Sequence, residues 1–311
     1  MDFVRLSDRG RNEVWRYLVA IATILFFWLV LGSIPFLLAV VWVSVDSRPA
    51  TGVDMETGMI TGVDPVLGNY IPLNLSFIAL IAGLVLAVAL VHRRGLRTLV
   101  TPARRIDWRR IGQGFGLWLL LAALMTLIET LVWPDAFAWA GVPVGRYLIF
   151  LALALVLTPI QTTTEEFLFR GYLLQTTGRL TRRPWLLALV NGALFLLPHL
   201  SNPELKFGPI PMVLYYAGMG VFFAWVVLRD KRAELVIGAH AANNLFVALL
   251  INFEGSALQT PALVVTTHVD ALYNLVTFLI SAAVFYVVLL GRRDPRLDAQ
   301  AGTSEIEPVV Q

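Results

Sequence analysis

The sequence contains no cysteine among its 311 residues. That absence excludes a disulfide framework, thiolate zinc sites, a cysteine nucleophile and lipidation through cysteine. Charge is also scarce: 14% of the residues are Asp, Glu, Lys or Arg, where an ordinary soluble domain carries about a quarter. Two familiar catalytic signatures are missing as well, the H-E-x-x-H of helical zinc peptidases and the G-x-S-x-G of serine hydrolases. What fills the space is apolar: 58% of the chain is hydrophobic and the mean hydropathy is +0.73. A soluble fold of this size cannot hide so much apolar surface, so the solvent around most of the chain must be lipid.

A helix needs about 20 apolar residues to cross ~30 Å of hydrocarbon. Eight segments qualify as candidate spans: Tyr17 to Val45, Ile71 to Val91, Ile111 to Trp133, Tyr147 to Gln175, Trp185 to Leu200, Ile210 to Leu228, Leu235 to Asn252 and Ala271 to Leu290. The fifth and seventh are short, and the first is long enough to require tilt or a kink at Pro35. The first follows Arg5, Arg9, Arg11 and Arg16 but far exceeds the length of a signal-peptide core, so it reads as a retained span.

The basic residues test this count. With the N-terminus placed in the cytoplasm, the inside segments hold 20 of the 24 Lys and Arg, and the outside loops hold only Arg48, Arg146 and Lys206. That bias predicts an all-α, polytopic membrane helix bundle of about eight transmembrane helices with both termini cytoplasmic. It also accounts for the net charge of +3 without nucleic acid, since basic loops face anionic lipid headgroups. Between Arg93 and Arg110, apolar residues interleave with arginines as in a helix lying on the cytoplasmic leaflet. The loop from Asp46 to Tyr70 reads as a plain connection, and the tail after Arg296 as disordered.

Ionisable groups at membrane depth are costly and each requires a reason. The fourth segment carries Gln161, Thr162, Thr163, Thr164, Glu165, Glu166 and Arg170. Asn191, Phe195 and His199 recur every four residues on the fifth, and His240 and Asn244 stand four apart on the seventh. Measured from the turn at Arg179 to Pro184, Glu166 lies 13 residues before and His199 15 after, placing both roughly 20 Å in. Asn244, 12 residues beyond Arg232, lies roughly 18 Å in.

The two adjacent glutamates cannot share a role. Glu166 and Arg170 are neighbours at i and i+4, so an ion pair there keeps Glu166 charged and holds geometry. Glu165 points about 100° away with no local cation, as suits a general base. Glu129, at an outer membrane edge, reads as a snorkelling residue, and His92 and His268 as solvated loop residues.

Peptide hydrolysis needs an activated water and a stabilised oxyanion. Glu165 with His199 suits the first task, and His240 with Asn244 the second. A zinc site of Glu165, His199 and His240 remains the alternative assignment of the same residues. A proton-coupled transporter is the rival from another class, opposed by the lack of an internal repeat. A non-proteolytic immunity or scaffold protein of the same fold is a third reading.

At these residues the sequence resembles a known family. Glu165-Glu166-Phe167-Leu168-Phe169-Arg170-Gly171 matches an EExxxR(G) motif, Phe195-Leu196-Leu197-Pro198-His199 matches FxxxH, and His240-Ala241-Ala242-Asn243-Asn244 matches HxxxN. In this order they resemble the CPBP (CAAX protease and bacteriocin-processing, or Abi) intramembrane proteases, also called type II CAAX prenyl endopeptidase-like. The resemblance implies an eight-helix fold and endopeptidase activity, with catalytic roles for Glu165, His199, His240 and Asn244 and support from Glu166 and Arg170. It implies no obligatory cofactor, zinc being the exception to test. It also implies a peptide or protein substrate, membrane-anchored in the prenylated case, and relatives that serve bacteriocin maturation or self-immunity. The expected division is a cytoplasmic tail over 1–16, two spans with a basic loop over 17–110, a protease core over 111–291 and a disordered cytoplasmic tail over 292–311. This layout fits a bacterial inner membrane.

Overall fold

The computed structural model describes residues 3–45, 51–54 and 58–291. The expected disordered tail, with Arg292, Arg293 and Arg296, and part of the first outer loop, with Arg48, lie outside the described residues.

Eight apolar helices build the protein: α1 (Val14–Val45), α2 (Val66–Val91), α3 (Trp108–Val132), α4 (Val144–Thr177), α5 (Pro184–His199), α6 (Pro209–Asp230), α7 (Glu234–Leu249) and α8 (Ala271–Leu290). Six are long and apolar enough to cross a membrane, and α5 and α7, of 16 residues each, span only ~24 Å. The protein is thus a polytopic helical membrane protein, as hydropathy predicts. Its outward faces agree: Leu38 is 65% and Leu120 is 54% exposed well inside apolar helices, as lipid-facing residues must be.

The connections that the charge bias assigns to one side meet at one end. Arg179 pairs with Asp8 at 2.7 Å. Arg94 donates to Gln175 at 2.5 Å. Arg110 holds Asp230 through two hydrogen bonds, at 2.5 and 3.1 Å. The Ala233 amide donates to the Val100 carbonyl at 2.8 Å. Successive helices therefore alternate in direction.

One expectation fails at this basic end. The segment after Arg93 is not a surface helix: a single 3₁₀ turn at Leu96–Leu99 is followed by irregular chain, with Leu99, Val100 and Thr101 buried in the bundle. Leu96, Leu99, Val100 and Ile106 serve the core, while Trp108 at the start of α3 is 75% exposed. The N-terminal tail packs on the bundle, where a 3₁₀ helix at Phe3–Arg9 buries Phe3 and Leu6.

The opposite end carries short strands that helical periodicity does not announce. β1 (Gly52–Val53) and β2 (Ile60–Thr61) pair antiparallel inside the loop read as a plain connection. Asn69 fixes that hairpin by bonding both the amide and the carbonyl of Ile60 at 2.9 Å. A three-stranded sheet joins β3 (Phe137–Trp139) antiparallel to β5 (Val264–Thr266) and β5 parallel to β4 (Ile251–Phe253).

Long helices bend where their hydrogen bonding widens. In α1 a π turn at Phe26–Leu31 stands just before Pro35, whose missing N–H leaves a carbonyl of the preceding turn free. α7 is central, packed on α3, α4 and α6, with 13 of its 16 residues buried. Protein therefore shields its ends from lipid, which makes its short length tolerable. Glycine permits the closest crossing: a Cβ on Gly238 would meet the Ile111 carbonyl oxygen at 2.0 Å, and one on Gly114 would meet that of Leu235 at 2.0 Å. This reciprocal contact lets the backbones of α3 and α7 touch.

Candidate active site

α4 supplies the acidic pair. Its α-helical part ends at Glu166, and a π turn runs from Phe167 to Leu173. Such turns often mark functional sites because they redirect side chains within a continuing helix. The Phe169 carbonyl in this turn accepts a hydrogen bond from the fully buried Asn191 of α5 at 2.7 Å, which ties the turn to its neighbour.

Arg170 and Glu166 are both 0% exposed and pair at 3.0 Å, as their i,i+4 spacing requires. The guanidinium stacks on Phe195 with its carbon 4.3 Å from the ring centroid and on Phe223 at 5.3 Å. These aromatic faces stabilise a cation that lipid would not. The same carboxylate oxygen of Glu166 meets His240 Nδ1 of α7 at 2.7 Å. A carboxylate only accepts, so this contact assigns the proton to Nδ1. His240 Nε2 then faces Glu165 Oε2 at 3.7 Å. Arg170, Glu166, His240 and Glu165 therefore form one connected series across two helices.

The glutamates look in different directions. A cavity of about 580 Å³ is lined by Glu165, His199, His240, Asn243 and Asn244, whereas Glu166 and Arg170 do not border it. Glu165, contacted by Gln161 one turn earlier, is the carboxylate presented to the open space.

His199 reaches the cavity from the end of α5. Its Nδ1 lies 2.7 Å from the Phe195 carbonyl, which fixes that nitrogen as a donor and leaves Nε2 for the cavity. Its ring packs between Phe195 and Tyr216, with centroids at 4.5 and 4.7 Å. Asn244 accepts from Asn243 at 3.1 Å, and Asn243 accepts from the Trp118 indole at 3.2 Å. The structure thus joins Glu165, Glu166, Arg170 and His240 directly. His199 and Asn244 share the cavity with Glu165 and His240 but bond to other neighbours.

Trp118, Tyr216 and Glu204 escape the sequence reading. Trp118 and Tyr216 look like ordinary aromatic residues of apolar helices, and only packing reveals their polar partners. Glu204 lies in a 3₁₀ turn outside the spans and lines the cavity. Burial pushes its carboxyl up, against the bond that its Oε1 accepts from the Ala257 amide at 2.6 Å. Gln161 is legible in retrospect, one helical turn before Glu165.

Three of the bland readings require correction. His92 is 2% exposed rather than solvated, held between the Arg11 carbonyl at 2.8 Å and the Tyr172 hydroxyl at 2.9 Å. His268 stacks on Trp133 with centroids 4.3 Å apart and lines the cavity. Glu129 turns toward the same cavity instead of snorkelling outward. In each case tertiary neighbours cover a group that the linear sequence leaves at an edge.

The arrangement was tested against the zinc alternative. Among the described residues no three His, Cys, Asp or Glu side chains are grouped to hold a metal ion. Both histidines keep Nε2 for the cavity, with Nδ1 of His240 held by Glu166 and Nδ1 of His199 by a backbone carbonyl. As placed, Glu165, His199 and His240 are not gathered into one His₂Glu group.

Residues 145–246 match the family described as type II CAAX prenyl endopeptidase Rce1-like. The chain is also 35% identical over 254 residues to the uncharacterized protein YyaK of Bacillus subtilis (strain 168), covering 82% of this chain and 83% of that protein. No solved structure matches.

Proposed function

From a chain that belongs to the Rce1-like type II CAAX prenyl endopeptidase family, we propose an intramembrane endopeptidase that uses Glu165 as the general base on a water. The observation that carries this reading is the division of the acidic pair: Glu165 borders the cavity beside His240, while Glu166 and Arg170 stand behind it. A water about 2.8 Å from both Glu165 Oε2 and His240 Nε2 is compatible with their 3.7 Å separation. Glu165 takes the proton from that water as its oxygen attacks the scissile carbonyl.

Arg170 and Glu166 hold His240 by its Nδ1–H, so its other nitrogen keeps a fixed direction. Proton transfer from the water to Glu165 leaves Glu165 neutral and able to return the proton to the departing amine. His199 and the Asn243–Asn244 pair line the same cavity and serve the developing oxyanion. The substrate is a peptide or protein segment that reaches this depth from the bilayer or from the basic end.

The test is Glu165→Gln, which keeps shape and removes the base. Cleavage should fall by about 10²-fold or more, with the protein still folded in the membrane. Turnover equal to the parent chain would refute the assignment.

A further inference from the structure

Away from the cavity, the basic end carries a second concavity of about 250 Å³. Arg5 and Asp8 line it from the N-terminal 3₁₀ helix, and Arg179 and Arg182 from the connection between α4 and α5. Asp8 lies 2.7 Å from Arg179 and 3.5 Å from Arg5. Among the described residues Arg182 makes no ion pair and no side-chain hydrogen bond. Three guanidinium groups against one carboxylate leave the pocket with a surplus of two positive charges. Gly178 closes the floor, because a Cβ there would stand 2.7 Å from Val4 Cβ.

The surroundings are those of a bilayer interface. Leu180, between the two arginines of the connection, is 86% exposed, and Trp185 in the first turn of α5 is 53% exposed. An exposed leucine beside arginines is costly in water and natural where acyl chains meet headgroups. Neither residue has a role in the cavity chemistry.

We infer that this pocket binds the phosphodiester of an anionic phospholipid, with the headgroup hydroxyls donating to Asp8. Guanidinium groups recognise phosphate oxygens through directed donors. Phosphatidylglycerol fits both signs: its phosphate answers the arginine surplus, and its glycerol hydroxyls answer the carboxylate. The acyl chains lie along Leu180 and Trp185. A bound lipid would clamp the N-terminal 3₁₀ helix to the end of α4, the helix that carries Glu165 and Glu166.

The experiment uses the full chain purified in a non-ionic detergent. Thermal unfolding is followed with dioctanoyl phosphatidylglycerol, dioctanoyl phosphatidylcholine or inorganic phosphate added. Phosphatidylglycerol at a hundredfold over its Kd should raise Tm by about 4 °C, and phosphatidylcholine should not. The double variant Arg5→Gln/Arg182→Gln should keep the lipid-free Tm and lose the shift, since both side chains are exposed at the surface. An equal shift with inorganic phosphate alone would make this a free-anion site and overturn the lipid assignment. An equal shift with phosphatidylcholine, an undiminished shift in the double variant, or no shift at all would also overturn it. None of these outcomes depends on peptidase activity.

Discussion

Replacing Arg170 by Met tests whether the buried charges behind the cavity act as one unit. Arg170 and Glu166 are wholly buried, and Glu166 Oε1 serves both Arg170 at 3.0 Å and His240 at 2.7 Å. Methionine keeps much of the side-chain length and contact with Phe195 but deletes the cation. Glu166 is then left with a histidine as its neighbour and no permanent positive charge. Removing one partner of a buried pair costs about 3–5 kcal/mol, whereas replacing both with neutral groups is often close to neutral. Arg170→Met should therefore lower stability by about 3 kcal/mol, the lower end of that range because the His240 Nδ1–H still donates to Glu166. In a detergent-solubilised sample this corresponds to a Tm fall of about 5 °C. Adding Glu166→Gln to Arg170→Met should recover at least about half of the loss, a coupling of ~1.5 kcal/mol or more. The assay is a double-mutant cycle read by thermal unfolding and by the monodisperse fraction on size exclusion. Simple additivity of the two single losses would refute the view that these residues stabilise one another.

Other consequences follow from the packing. Gly238→Ala should separate α3 from α7, since its Cβ would lie 2.0 Å from the Ile111 carbonyl oxygen. About 1–3 kcal/mol of stability should be lost, and activity should fall with it because α7 carries His240; an unchanged Tm would count against the crossing. Asn191→Leu should cost about 1–2 kcal/mol by removing the donor to the Phe169 carbonyl, read again as a Tm shift. His92 lies outside the spans, and burial holds its imidazole below the ordinary 6.5. The unfolded chain therefore binds the extra proton first as pH falls through 6.5, and stability should decline below that point. His92→Gln should flatten this decline in unfolding curves between pH 7 and 5; an unchanged slope would exclude His92 as its source.

Much of the site was legible because helical spacing is a local property. Glu166 and Arg170 at i,i+4 form the expected ion pair, and Glu165, one residue earlier, alone of the two glutamates faces the cavity. Counting helix rise from the basic turns puts Glu166 and His199 roughly 20 Å in and His240 about one turn shallower than Asn244, and the contact of His240 with Glu166 at 2.7 Å closes that difference. His92, His268 and Glu129 were misread because each stands at the edge of an apolar run, where sequence cannot say whether water or another helix lies beyond. The segment after Arg93 was misread for a related reason, since interleaved apolar and basic residues suit a bilayer surface and a bundle edge equally well.

The amino-acid sequence by itself determined the solvent, the number and alternation of the apolar helices and the identity of the cluster on α4. Hydropathy, charge bias and the 3.6-residue repeat act over short distances along the chain. The tertiary structure decided which atom meets which. It gave Glu166 both Arg170 and His240, set Glu165 3.7 Å from the other face of that histidine, and tied Asn243 to Trp118. Those pairings join residues up to 125 positions apart. They arise from how close two helices approach, which at α3 and α7 depends on paired glycines whose effect no single segment contains.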